Sequence, residues 1–200
     1  MKDKNKRTPH GPQYVWMVKT YVLTTLFVGF CLTALAEENS TNKLPLQKGE
    51  KAPTFALRDL EGNYVILSDV LSSKSEKNAT VVLNFWATWC EPCMKEMPHL
   101  IAIMKKYQSE NVRFFLISEN KMSETEKVRD YVADKEIEGK VLLDPYNVVL
   151  KKYNPSQSIP LTFVISSSGT ILARIPFTES FEKYKKKLRK AIAKAQQEKK

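Results

Sequence analysis

The sequence predicts an α/β fold in which a central mixed sheet is flanked by helices, and two observations lead to this prediction. From residue 80 onward, runs rich in β-branched and aromatic residues alternate with amphipathic stretches, in the order strand, helix, strand, helix, strand, strand, helix. This alternation is typical of a mainly parallel sheet with helices on both faces, completed here by an antiparallel hairpin. Ahead of it, the turn Glu61-Gly62-Asn63 separates two short segments, Ala52–Asp59 and Tyr64–Leu67, and predicts an N-terminal β-hairpin.

The strongest single signal is the apolar run Val81–Trp86, which predicts a strand buried on both faces of the sheet. A helix is predicted over Glu91–Tyr107, with apolar residues on one face. Ser123 stands three residues before Glu126, which predicts a capping box at the start of a helix that runs to Lys135. The other predicted elements are a short helix at 68–71, strands at 112–117, 141–143, 162–165 and 171–175, helical turns at 148–153, and a basic helix from Phe181.

The net charge of +10 on the 200-residue chain is concentrated at its two ends. Residues 1–36 hold five basic and one acidic residue, residues 37–178 hold 18 of each, and residues 179–200 hold nine basic and three acidic. Because the globular middle is neutral, we expect no nucleic-acid partner, which would require a basic binding face. The lysine-rich final helix is expected to dock through its apolar residues and to leave its basic face in solvent.

The N-terminus has the features of a targeting segment. Four basic residues lie within the first seven positions, an apolar stretch runs from Tyr21 to Ala36, and Ala34-Leu35-Ala36 forms a small-x-small triplet ahead of two glutamates. Residues 1–36 are therefore expected to be either a signal peptide cleaved near Ala36 or an uncleaved membrane anchor that uses residues 15–36. Either outcome exports the rest of the chain, to the periplasm or to the outer face of the cytoplasmic membrane. We expect a linker at 37–50 and one domain at 51–200.

Three cysteines are too few for a disulfide-stapled scaffold, and one of them, Cys31, lies inside the apolar stretch. The other two, Cys90 and Cys93, flank Glu91-Pro92 where the buried strand runs into a helix. The free N–H groups and the dipole at a helix N-terminus stabilise a thiolate, so we expect a redox pair here. In that interpretation an exposed Cys90 attacks a substrate disulfide and a more buried Cys93 resolves the mixed disulfide. Half of a zinc site and a purely structural bridge are the alternatives.

Around these cysteines the chain resembles the thioredoxin superfamily, and within it the TlpA/ResA-type exported thiol–disulfide oxidoreductases. The resemblance covers about residues 48–190 and rests on Phe85–Cys93, on Glu96 and Pro98, on Ile159–Ile165 and on the leading hairpin. It implies a thioredoxin-like fold with an N-terminal β-hairpin extension and a cis peptide bond before Pro160. It also implies catalysis without a cofactor or a metal.

The resemblance further assigns roles to individual residues. Glu96, one helical turn beyond Cys93, is expected to carry the proton of the buried thiol, since Asn84 stands where thioredoxin itself has a buried acid. Leu161, in place of the family's usual threonine, predicts a more apolar edge facing the substrate. Substrate contacts are expected from the residues that border the pair: Trp89, Glu91, Pro92, Ile159 and Pro160.

Together these features predict a reductant of disulfides in exported proteins, for example in cytochrome c maturation. The negative charges of Glu91 and Glu96 disfavour thiolates in the reduced form, which makes the protein a poorer oxidant. Its expected partners are protein disulfide substrates of the cell envelope and a membrane thiol reductant that supplies electrons. A peroxiredoxin-like peroxide reductase and a copper-binding module that uses Cys90 and Cys93 are the alternative functions.

Overall fold

The computed structural model describes residues 44–72, 79–107 and 110–197. The predicted signal peptide or anchor at 1–36 lies outside these residues and stays a prediction. Within the described ranges, no helix is both long enough and apolar enough to cross a membrane.

Seven strands form one mixed sheet in the order β2-β1-β5-β4-β3-β6-β7. The strands are β1 (Ala56–Asp59), β2 (Tyr64–Ile66), β3 (Thr80–Trp86), β4 (Val112–Ser118), β5 (Lys140–Leu143), β6 (Leu161–Ile165) and β7 (Ile171–Pro176). The helices are α1 (Leu67–Ser72), α2 (Glu91–Tyr107), α3 (Thr125–Asp134), α4 (Val148–Tyr153) and α5 (Phe181–Gln197), and a 3₁₀ turn at Met122–Glu124 precedes α3. The predicted mixed sheet and the N-terminal hairpin, β1 with β2, are confirmed.

The balance of strand directions differs from the prediction of a mainly parallel sheet. Only the β3–β4 and β4–β5 pairs are parallel, whereas the other four neighbouring pairs among the described strands are antiparallel. Between β5 and β6 the chain contains only the short helix α4, and it passes β4 and β3 without returning to the end of the sheet where the parallel strands begin. Strand β6 therefore starts beside the end of β3, with Leu161 opposite Phe85, and runs back along it.

Helices cover both faces of the sheet, as predicted, because alternate residues of the central strand enter two separate cores. Val82 and Trp86 of β3 pack into a core formed with residues of α2, α3 and α5. Val81, Leu83 and Phe85 pack on the other side, against residues of α1 and α4. All seven residues of β3 are buried, so the strand that leads into the cysteine pair is fixed from both sides.

The predicted capping box at Ser123 and Glu126 is wrong. Ser123 lies inside the 3₁₀ turn, and it is Glu124 whose carboxylate accepts a hydrogen bond from the backbone N–H of Lys121, at 3.3 Å. A 3₁₀ turn thus begins before the predicted cap, and the α-helix α3 starts only at Thr125.

The end of the predicted linker at 37–50 packs on the folded unit. Leu46 is buried in the core beneath α4, and its backbone N–H donates to the carbonyl oxygen of Tyr153 at 3.0 Å. A second backbone hydrogen bond joins Gly49 to Ile171 at 2.8 Å. The folded part of the chain therefore includes Leu46 and Gly49, which precede residue 51.

Candidate functional site

The two cysteines form a disulfide at the N-terminus of α2, where Cys90 directly precedes the helix and Cys93 lies in its first turn. Their Cα atoms lie 5.2 Å apart, and the backbone N–H of Cys93 donates to Cys90 Sγ at 3.2 Å. Cys90 is 4% exposed and Cys93 is 1% exposed. The predicted order of burial holds, but in this disulfide form Cys90 is not the exposed residue that was expected, because both sulfur atoms lie against the core of α2.

A buried asparagine that the sequence analysis missed holds the loop in front of Cys90. The backbone N–H of Thr88 donates to Asn120 Oδ1 at 3.0 Å, and Asn120 Nδ2 donates to Thr88 Oγ1 at 2.7 Å. Ser118 at the end of β4 also donates to Asn120 Oδ1, at 3.1 Å. The only sequence signal was a polar Ser-Glu-Asn stretch at the carboxyl end of a buried strand, where parallel neighbours bring their loops together.

Glu96, one helical turn beyond Cys93, belongs to a buried polar network. Its Oε1 accepts a hydrogen bond from Asn84 Nδ2 at 3.2 Å, and the hydroxyl of Tyr184 donates a second one. Burial raises the pKa of the Glu96 carboxyl to about 7, although both hydrogen bonds act to lower it. Thr162 Oγ1 completes the network, 3.0 Å from Asn84 Nδ2 and 3.2 Å from the Tyr184 hydroxyl.

Glu96 lies one turn beyond Cys93 along the buried side of α2. Residues three apart on a helix are neighbours on one face, and Cys93 and Glu96 are both buried there. An acid with a pKa of about 7 is able both to accept and to return a proton near neutral pH. The arrangement can therefore supply the proton transfer that a buried thiol needs before it acts as a nucleophile.

Glu91 lies where the sequence places it, between the cysteines, but its charge is balanced. Its carboxylate is exposed and forms an ion pair of 2.7 Å with Lys95, one turn along α2, which lowers the pKa of the Glu91 carboxyl. The (i, i+4) spacing was a signal for this pair in the sequence. The predicted effect of Glu91 on the Cys90 thiolate is correspondingly weakened.

The remaining predicted site residues surround the disulfide to different degrees. The Ile159–Pro160 peptide bond is cis, and Ile159 packs against the core that contains both cysteines. Trp89 is 62% exposed, and Pro92 is half-buried beside a cavity of about 370 Å³. Leu161, in contrast, is 1% exposed, so it does not form the apolar substrate edge that was predicted from it.

A metal site was one alternative for this region. In the described part of the chain, no group of three or more His, Cys, Asp and Glu side chains is arranged to hold a metal ion.

Comparisons with known proteins place the chain among redox proteins of this fold. The AhpC/TSA family model matches residues 48–174. The thiol–disulfide oxidoreductase ResA of Bacillus thuringiensis subsp. konkukian is 31% identical over 152 residues, which cover 74% of this chain and 82% of the relative. ResA of Bacillus subtilis is 33% identical over 132 residues, covering 65% and 68%. A solved structure from Chlorobium tepidum, assigned as the thiol:disulfide interchange protein DsbE, is 28% identical with a TM-score of 0.63 and covers 75% of this chain and 98% of its own.

Proposed function

The chain belongs to the AhpC/TSA family and is a thiol–disulfide oxidoreductase related to the ResA proteins, and from this premise we propose that it reduces disulfide bonds in exported proteins. Cys90 is the attacking thiol and Cys93 the resolving thiol. The observation that carries the proposal is the buried Glu96 carboxyl one helical turn beyond Cys93. When ionised, this carboxyl disfavours a neighbouring thiolate and so favours the disulfide, which is the property of a reductant.

The reaction starts from the dithiol form. The Cys90 thiolate attacks one sulfur of the substrate disulfide, a mixed disulfide forms, and the second substrate sulfur leaves as a thiolate that takes up a proton. Cys93 then passes its proton to Glu96 and attacks Cys90 Sγ, which releases the first substrate sulfur. Two electrons have moved to the substrate, and the protein holds the Cys90–Cys93 disulfide.

A dithiol donor must return two electrons to close this cycle. We place the protein in the cell envelope, at the outer face of the cytoplasmic membrane or in the periplasm, with a membrane thiol reductant as that donor. The support for this placement is the basic and apolar character of residues 1–36. Apocytochrome c is one candidate substrate, because exported cysteine pairs of that kind must be reduced before use.

The test is a measured reduction potential together with trapping of the intermediate. We expect a potential closer to about −270 mV, the value for thioredoxin, than to about −120 mV, the value for a strong oxidant. Cys93→Ser should accumulate a mixed disulfide with an oxidised model substrate, and Cys90→Ser should not. Both variants carry Cys31→Ser, so that no third thiol contributes.

Several outcomes would contradict the proposal. A potential near about −120 mV would make the protein an oxidase rather than a reductant. Full disulfide reductase activity in Cys90→Ser would remove the assigned nucleophile. Catalytic consumption of peroxide, or stoichiometric retention of Cu(I) by the purified protein, would instead support one of the two alternative functions.

A further inference from the structure

A groove of about 730 Å³ lies between β1 and the segment that leads into α4. Four of the seven large apolar side chains that the described residues leave exposed line this groove: Tyr64, Met122, Tyr146 and Val148. Scattered apolar residues on a surface are ordinary, but a cluster around one concave site is typical of an interaction surface. We call this site the Tyr146 groove.

Tyr146 connects the groove to the redox pair. It is 74% exposed and also lines a smaller cavity, of about 270 Å³, together with Trp89, the residue before Cys90. Trp89 is itself 62% exposed. Trp89 and Tyr146 therefore lie between the disulfide and the groove, so a chain bound at Cys90 reaches the groove across two exposed aromatic side chains. Lys121 and Glu119 line the same small cavity.

The groove also offers a strand edge. Strand β5 pairs with β1 only at Arg58 and Asp59 and then turns away at Asp144. On the β2 side of β1, the carbonyl oxygen of Phe55 accepts from the N–H of Leu67, and the N–H of Asp59 donates to the carbonyl oxygen of Asn63. Because residues that bond to one neighbour alternate along an antiparallel strand, the N–H and C=O groups of Ala56 face the other side, where β5 has ended. In the described ranges, Ala56 has no strand partner on that side, and it lines the groove. An extended peptide is able to pair with such an edge.

The charges around the groove favour acidic side chains. Its two acids are already engaged, Asp59 with Lys140 at 2.8 Å and Asp144 with three backbone N–H groups at the start of α4. Its bases are Arg58, Arg129 and Lys152. Among the residues that the structure describes, Lys152 has no acidic partner, so the groove has a positive charge left to neutralise.

We propose that the Tyr146 groove binds an extended segment of the substrate protein, next to the disulfide under reduction, through alternating apolar and acidic side chains. This inference rests on the proposed function and names the kind of polypeptide on which that function acts. Apolar side chains of the segment lie against Met122 and Val148, its backbone pairs with β1 at Ala56, and its acidic side chains meet Lys152.

The probes are three synthetic peptides and glutathione disulfide. All three peptides contain an internal Cys-x-x-Cys disulfide: the first has no extension, the second has an arm of about eight residues (~26 Å when extended) that alternates leucine with glutamate, and the third has lysine in place of glutamate. The reduced full-length protein should reduce the glutamate-arm peptide at least about tenfold faster than the armless one at limiting concentration. A tenfold gain in rate requires only a modest additional free energy of binding from the arm.

Two sets of variants separate the groove from the redox centre. Met122→Ser/Val148→Ser should bring the glutamate-arm peptide down to the armless rate and leave glutathione disulfide reduction within about twofold. The matched control is Leu44→Ser/Ile66→Ser, which changes two exposed apolar residues outside the groove and should change neither rate. Lys152→Glu should slow the glutamate-arm peptide and speed the lysine-arm peptide.

Equal rates for armed and armless peptides in the unaltered protein would overturn the inference, and so would an equal slowing of glutathione disulfide by the groove variant. If no probe is reduced at all, the proposed function fails instead. A photoreactive p-benzoylphenylalanine at position 148 of the full chain tests two other occupants without substrate. Cross-linking to residues 1–43 or to a second copy of the chain would show that the groove is already filled, and would overturn the inference.

Discussion

Asn84 Nδ2 donates a hydrogen bond of 3.2 Å to Glu96 Oε1, and the same nitrogen donates to Thr162 Oγ1 at 3.0 Å. One amide from the central strand therefore fixes a carboxyl of α2 to the neighbouring strand β6. Because the carboxyl is held in the core, its pKa is about 7, and it changes its protonation state near neutral pH.

Glu96→Gln should abolish a pH dependence centred near neutral. In the unaltered protein we expect the rate at which Cys93 resolves the mixed disulfide to rise as pH increases through about 7, when Glu96 becomes able to accept a proton. The variant should be slower by about tenfold or more at pH ~8 and should lack that inflection. Stopped-flow fluorescence of the adjacent Trp89, measured from pH ~5 to ~9, follows the step. The variant Glu91→Gln, at an exposed position, is the control and should keep the inflection. An inflection that remained in Glu96→Gln would contradict the proton-transfer role of Glu96.

Tyr184→Phe should move the same inflection to higher pH. The Tyr184 hydroxyl donates a hydrogen bond to Glu96 and stabilises its ionised form, which lowers the pKa of the carboxyl. Without this hydroxyl, the effect of burial is less compensated and the pKa of Glu96 rises. Thr162→Val is the control, because Thr162 contacts Asn84 and Tyr184 and has no hydrogen bond to Glu96. The midpoint of the resolution rate against pH is the measurement. A midpoint that stays or falls in Tyr184→Phe would show that the hydroxyl does not act on the carboxyl.

The limits of sequence-based prediction follow from how far apart the interacting residues lie. Cys90 and Cys93 were found because a Cys-x-x-Cys pair at the start of a helix has its geometry fixed by local spacing, and Glu96, one turn further on, came from the family resemblance. The contact of Glu96 with Tyr184 depends on how α5 docks on the sheet, and no local pattern encodes that docking. In the sequence, Tyr184 was only one apolar position on a terminal helix.

The same reasoning explains the error in strand direction. Alternation of strands and helices indicates a sheet with helices on both faces, and that part was confirmed. It does not specify whether the chain returns to the starting end of the parallel strands between β5 and β6, because that depends on the length of α4 and on the loop before Leu161. The exposed apolar residues of the Tyr146 groove carried no motif either, since they come from β2, the 3₁₀ turn, the loop before α4 and the start of α4.

Lys95→Met should raise the pKa of the Cys90 thiol, because it leaves the charge of Glu91 unbalanced beside the helix N-terminus. Glu91→Gln should lower that pKa, and the double variant should return it close to the original value. Both shifts should be small and should shrink at high salt, since the pair is exposed. Iodoacetamide alkylation of Cys90 in the reduced protein, followed against pH at two salt concentrations, measures them. If the pKa of Cys90 shifted in the same direction in both single variants, the opposing electrostatic effects of Glu91 and Lys95 would be contradicted.

As pH rises, the free energy of unfolding should fall less in Glu119→Gln than in the unaltered protein. Both carboxyl oxygens of Glu119 are buried without a hydrogen-bond partner among the described residues, and burial, with the nearby charge of Asp144, raises the carboxyl pKa to about 9. The folded protein therefore keeps a proton that the unfolded chain releases above about 4.5, so this group costs stability progressively from pH ~4.5 to ~9. Urea unfolding of the disulfide form gives the free energy of unfolding at pH ~5 and at pH ~8.5. The difference between these two values should be smaller by about 1–3 kcal/mol in the variant than in the unaltered protein. The variant Glu138→Gln, at an exposed position, is the control and should leave the difference unchanged. An unchanged difference in Glu119→Gln as well would mean that the Glu119 carboxyl is ionised in the folded protein.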